Sequence, residues 1–109
     1  MPYDEKLAQR IREVLAEDQA PVEKKMFGGV CWLLNGNMSV GVHKDDLIVR
    51  CGPDGYEKEL GRAHARPFDI TGRPMKGWVM VAPTGVKKKA DLRKWVGKGV
   101  TFALTLPAK

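Results

Sequence analysis

The chain is poor in the side chains from which most catalytic and metal sites are built. It holds two cysteines, Cys31 and Cys51, two histidines, His43 and His64, and a single serine, Ser39. A disulfide framework in a chain this short uses about four cysteines or more. Both thiols stand in apolar, strand-like runs, where cysteine serves as a small buried hydrophobe. No pair of potential ligands has Cys-x-x-Cys or His-x-x-x-His spacing, which lets one local element present two ligands together. No metal and no other cofactor is expected. Neither cysteine lies at a predicted helix N-terminus that would lower its pKa. The carboxylates gather on a predicted first helix and in turns, surrounded by solvent rather than by a low-dielectric cleft, so a non-enzyme is expected. Twelve glycines are present, but no Gly-x-Gly-x-x-Gly or Walker-type run leads into a helix. Gly28-Gly29 therefore predicts a bulge or a close strand approach rather than a phosphate loop.

Long apolar runs are also missing. None approaches the roughly 18 residues needed to cross a bilayer. The opening Met1-Pro2-Tyr3-Asp4-Glu5-Lys6 carries acid where a secretory leader is basic and then apolar. A soluble, cytoplasmic protein without a membrane partner is expected.

The composition that remains is globular. The 109 residues are 43% hydrophobic and 29% charged, too apolar for a disordered chain and of a size for one domain over residues 1–109. The net charge of +6 is unevenly placed. Residues 1–59 carry 8 Lys/Arg against 11 Asp/Glu, and residues 60–109 carry 11 against 2. Such polarity fits an acidic partner, nucleic acid included, or a self-association in which opposite ends meet; a solvated basic face is the plainer alternative.

Periodicity supplies the element order. Leu7, Ile11, Val14 and Leu15 form one helical stripe over about Asp4 to Asp18, with acids at its start and Pro21 beyond it. A strand is predicted over Met26–Leu34, and Asn35-Gly36 after it is a strong hairpin signal. In the next strand Met38, Val40 and Val42 are expected on one face, with Ser39, Gly41 and His43 on the other. Leu47–Cys51 makes a third strand. A short helix is predicted over Asp54–Arg62, a loop over Ala63–Ile70, and a central strand over Met75–Ala82. Leu92, Trp95, Val96, Val100 and Ala103 mark a last helix, which Gly97 and Gly99 weaken by up to about 1 kcal/mol each, so that it bends or stops there. Trp32, Trp78 and Trp95 fall on core-like positions.

Met26-Phe27-Gly28-Gly29, Asn35-Gly36-Asn37-Met38 and Asp46–Arg50, followed by Arg66-Pro67-Phe68-Asp69-Ile70-Thr71-Gly72-Arg73-Pro74-Met75-Lys76-Gly77-Trp78-Val79, resemble the N-terminal domain of the TfoX/Sxy family. Leu92-Arg93-Lys94-Trp95-Val96 and the Phe102–Pro107 tail continue the likeness. The resemblance implies an α+β fold of the secretion-chaperone-like kind, with an antiparallel sheet of about four strands flanked by N- and C-terminal helices. It also implies a homodimer, and a role in competence development beside a transcription activator. The sequence ends at Lys109, where a full-length regulator of that family would continue into a helical region, so a stand-alone copy with its own role is expected.

Three functions follow as expectations. The first is a non-catalytic regulatory or protein-interaction domain. The second is a nucleic-acid-binding module using Lys87, Lys88, Lys89, Arg93, Lys94 and Lys98 on and before the last helix. Residues 94 and 98 lie one turn apart, and Arg62, Arg66, Arg73 and Lys76 would extend the patch. The third is an enzyme whose pocket near Arg50, Arg66, Arg73 and Lys76 takes an anionic small molecule.

Overall fold

Asp4 starts the first helix. Its carboxylate accepts hydrogen bonds from the backbone N–H groups of Lys6 and Leu7 (2.9 and 3.2 Å), satisfying two donors that a helix start leaves without partners. Helix α1 then runs Glu5–Leu15 and buries Leu7, Ala8, Ile11 and Leu15. The computed structural model describes residues 3–16, 21–26, 29–69 and 75–108. Phe27, Gly28 and Ile70 through Pro74, which carry parts of the motifs above, lie outside them.

Strands β1 (Val22–Met26), β2 (Gly29–Leu34), β3 (Asn37–His43) and β4 (Asp46–Arg50) follow, then helix α2 (Tyr56–Leu60), β5 (Ala65–Pro67), β6 (Trp78–Val81), a 3-10 turn over Pro83–Gly85 and helix α3 (Lys89–Thr105). The strands form one antiparallel sheet of order β1-β2-β3-β4-β6-β5. The α+β class and flanking helices agree with expectation, but the sheet has six strands rather than four. Both extra strands are edges. β1, with the sequence Val-Glu-Lys-Lys-Met, lacks apolar alternation, and exposed lysines suit an edge that must not recruit another strand. β5 replaces the expected loop; it is three residues long and ends in Pro67, whose missing N–H is tolerated at an edge.

The Asn35-Gly36 hairpin forms as its sequence predicts, with φ of 53° and 83° at the two positions. Gly29 makes the close strand approach expected of the glycine pair, since a Cβ there would stand 1.9 Å from the Val42 carbonyl oxygen. Cross-strand register places Val30, Val42, Leu47 and Val81 in one row, and Trp32, Val40, Val49 and Val79 in the next. These rows face α1 and α3 and form the main core. On the reverse face Cys31, Ile48 and Met80 pack with Met38 and Phe68.

Met38 is a correction to the expected alternation. β2 advances one residue from Trp32 to Leu33 while β3 moves from Val40 to Met38. Ser39 is the extra residue of this bulge, and its hydroxyl donates to the Trp32 carbonyl (2.9 Å). The bulge turns Met38 away from Val40 and Val42.

Helix α3 passes through both glycines without ending. At Gly99 a Cβ would lie 2.4 Å from the Ser39 carbonyl oxygen and 2.7 Å from Val40 Cγ1, so only glycine lets the helix lie this close to the bulge. At Gly97 a Cβ would meet nothing within 4 Å. The two glycines therefore respond oppositely to alanine. Gly97→Ala is expected to raise unfolding free energy by up to about 1 kcal/mol, and Gly99→Ala to lower it by about 1–3 kcal/mol. Urea denaturation of the two variants checks this, and equal stabilisation by both would contradict the packing.

Candidate functional site

Helix α3 turns the charge polarity of the sequence into a surface. Its buried stripe is Leu92, Trp95, Val96, Gly99 and Ala103, while Lys89, Arg93 and Lys94 are exposed. Lys87 and Lys88, in the link that enters the helix, are exposed as well. Arg10 of α1 fixes this link by donating from Nη2 to the carbonyls of Val86 (2.8 Å) and Lys87 (3.1 Å). The lysines thus stand at the positive end of the helix dipole, which they oppose, with Asp91 in the first turn.

Lys98 has a different task from the one its spacing suggests. Its Nζ lies 2.8 Å from Glu59 Oε2 and 5.6 Å from the Trp95 ring centroid. Glu59 of α2 is 7% exposed and also accepts from Arg62 Nε. Burial pushes the Glu59 carboxyl up, but the hydrogen bonds and charges of Lys98 and Arg62 outweigh it and hold the carboxyl below its usual range. This triad pins α2 to α3.

Between those helices lies an open groove of about 640 Å³. Arg62, Arg93, Lys94 and Lys98 line it with a single carboxylate, Glu59, and Gly97, Phe102 and Cys51 contribute apolar or bare surface. A hollow of about 220 Å³ adjoins it, sharing Arg62, Lys94 and Lys98 and reaching His64 and Thr84. His64 Nδ1 and Thr84 Oγ1 share a hydrogen bond of 3.0 Å. Spacing alone groups Arg93, Lys94 and Lys98, but it does not show Glu59, the carboxylate that holds Lys98 and Arg62, or Gly97 as the gap in the helix surface. The legible signal was a glycine inside an otherwise regular helical stripe.

Two arginines of the second expected cluster are engaged with different partners. Arg50 lies over the Trp78 and Phe102 rings, 5.1 and 5.4 Å from their centroids. Arg66 forms a two-pronged ion pair with Asp46, and that hydrogen bond, strengthened by the carboxylate charge, raises the guanidinium pKa. Register opposes Arg50 to Trp78 and Arg66 to Met80, with β6 between them. Lys76 is exposed before β6, and Arg73 lies outside the described residues.

The reactive groups are tied into packing. Cys31 is buried, and desolvation pushes its thiol up to about 11. Cys51 is half-buried, donates to the Gly77 carbonyl (3.4 Å) and is also raised by burial. Glu23 accepts from Arg12 (2.6 and 3.0 Å) and from Trp32 Nε1 (3.0 Å); the Arg12 hydrogen bond holds its carboxyl below the ordinary range. Among the described residues, no three His, Cys, Asp or Glu side chains gather as a metal-binding group.

The family model for the TfoX N-terminal domain matches residues 13–103, from the second half of α1 nearly to the end of α3. Among curated proteins and solved structures, no match to the chain was found.

Two measurements follow from these environments. Because the folded pKa of Glu59 lies below its unfolded value, the unfolded chain takes up the proton first as pH falls. The stabilisation is full above the ordinary value of 4.5 and is lost as pH falls through the lowered folded value. Glu59→Gln is therefore expected to cost on the order of 1–2 kcal/mol at neutral pH, with the difference from wild type closing in acid; chemical denaturation across pH checks it. In native protein at mildly alkaline pH, a maleimide is expected to modify Cys51 slowly and Cys31 only after unfolding. Mass spectrometry of the labelled peptides reads this order, and rapid native labelling of Cys31 would contradict it.

Proposed function

The chain belongs to the TfoX N-terminal domain family, and we propose that it is a non-catalytic interaction domain with a regulatory role, engaging an acidic surface of a protein partner through the exposed side of α3. The observation that carries this reading is the separation of reactive from charged groups. Ser39, Cys31, Cys51, Glu23 and Glu59 are held in packing, hydrogen bonds or ion pairs. Lys87, Lys88, Lys89 and Lys94 instead stand exposed. What the fold offers to another molecule here is positive charge on a rigid helix, which steers and orients an acidic partner. Regulation beside a transcription activator is the form of this role that the family membership supports.

A second reading is direct nucleic-acid binding, favoured by the exposed lysines grouped before and within the first turns of α3. Such a surface neutralises phosphates and releases counterions without reading sequence. Weighing against it, Trp95 is buried and Trp78 already faces Phe68 and Arg50, so neither offers a stacking platform.

Fluorescence anisotropy with labelled poly-glutamate and labelled duplex DNA, at roughly 50 to 200 mM salt, separates the two. The proposed role predicts poly-glutamate binding at least as tight as DNA binding, weakened about tenfold or more when Lys87, Lys88, Lys89 and Lys94 become alanine. DNA binding tighter by about tenfold, with a steep salt slope, replaces it with the second reading. Binding of neither probe removes the α3 face as a functional surface.

A further inference from the structure

Gly97 is the glycine of α3 that packing does not explain. Gly99 is required by the Ser39 carbonyl, but a Cβ at Gly97 would have nothing within 4 Å. A glycine at such a place costs up to about 1 kcal/mol relative to alanine. Its visible effect is on the groove, where the missing side chain leaves helix backbone bare in the middle of the lining.

We infer that the groove between α2 and α3 binds a small organic phosphate ester, with the phosphate on Arg62 and Lys94 and a ring-sized body against Gly97 and Phe102. This goes beyond the partner-binding role and does not rest on it.

Size, charge and wall chemistry converge on that class. A volume of about 640 Å³ falls within the roughly 300–1,000 Å³ of small-molecule sites and far exceeds what an inorganic anion fills. Four cations surround one carboxylate, and Glu59 is already neutralised by Lys98 and Arg62, so the lining retains positive charge for an anion. Glu59 also acts as a positioning residue, since its two oxygens hold Lys98 and Arg62 in place before any ligand arrives. The adjoining 220 Å³ hollow shares Arg62, Lys94 and Lys98 and adds the Thr84 hydroxyl and the His64 ring, and these three cations outnumber the one carboxylate in its lining, Asp91. Several donors around one small space suit a many-oxygened, doubly charged group better than a lone carboxylate. On the other side, Phe102 and the exposed backbone of Gly97 offer an apolar, flat-walled space for a ring. Lys87, Lys88 and Lys89, which a long polyanion would use, line neither hollow.

Isothermal titration of the purified chain with phenyl phosphate, adenosine 5′-monophosphate and inorganic phosphate tests the inference. At least one ester is expected to bind about tenfold or more tighter than inorganic phosphate, and to slow maleimide labelling of Cys51, which lines the same groove. Gly97→Met fills the groove while improving helix propensity, so it should abolish ester binding with an unchanged or raised melting temperature. Lys94→Glu should weaken binding, and the Lys87, Lys88, Lys89 triple alanine variant should not. Ester affinity all weaker than about 1 mM, full affinity in Gly97→Met, or equal loss in the triple variant would overturn the site. Ester binding without poly-glutamate or DNA binding would leave this site standing and remove the partner-binding role alone.

Discussion

At Gly99 the third helix comes so close to the sheet that a Cβ would stand 2.4 Å from the Ser39 carbonyl oxygen, and most of the architecture follows from that approach. The oxygen belongs to the extra residue of the β3 bulge, whose own hydroxyl is held by Trp32. The bulge divides the apolar side chains between the two faces. Val40, Val42 and Trp32 go beneath the helices, and Met38 joins Cys31, Ile48 and Met80 on the reverse. Each fully buried residue of this kind contributes roughly 1.5–3 kcal/mol, so one inserted residue decides where a large part of the folding free energy is collected. It also fixes the rotation of α3. With Gly99 inward, Leu92, Trp95, Val96 and Ala103 are buried with it, and Gly97 and Lys94 face the groove.

The charges divide in a comparable way. Several acidic side chains, from exposed Glu23 to buried Glu59, serve to fasten elements together. Glu23 joins Arg12 of α1 to Trp32 of β2, Asp46 joins β4 to Arg66 of β5, and Glu59 joins α2 to Lys98 of α3. Each pairs a cation with a carboxylate. Lys87, Lys88, Lys89 and Lys94 lie beyond the reach of this fastening, and much of the net positive charge of the chain stands there. An unpaired surface cation contributes little to stability, so its consequences lie in what it attracts.

Much of this was legible from the residues alone. The α1 and α3 stripes, the Asn35-Gly36 hairpin and the doubly apolar β6 follow from period, turn chemistry and burial on both faces. The edge strands were not legible, because Val22 through Lys25 are exposed, Ala65–Pro67 bury little, and their sequences obey solvent rather than core. Strict alternation puts Met38 on the face of Val40 and Val42, and the bulge at Ser39 changes that parity without leaving a mark in the hydrophobic pattern. At the groove, the cations on α3 were visible as a run, but their neighbour Glu59 lies more than thirty positions away, and only the folding of α2 against β5 and β6 brings it beside Lys98. Arg50 and Arg66 seemed equally available in the sequence; one is sandwiched by rings and the other is paired with Asp46.

One helix carries a glycine pressed against the sheet and, two residues earlier, a glycine with open space beside it. Nuclear Overhauser spectroscopy of the isotope-labelled protein reads both directly. Strong cross-peaks are predicted between the Gly99 α-protons and the Val40 methyls, with none from the Gly97 α-protons to side chains of other elements. Cross-peaks tying Gly97 to the sheet, or none from Gly99 to Val40, would contradict it.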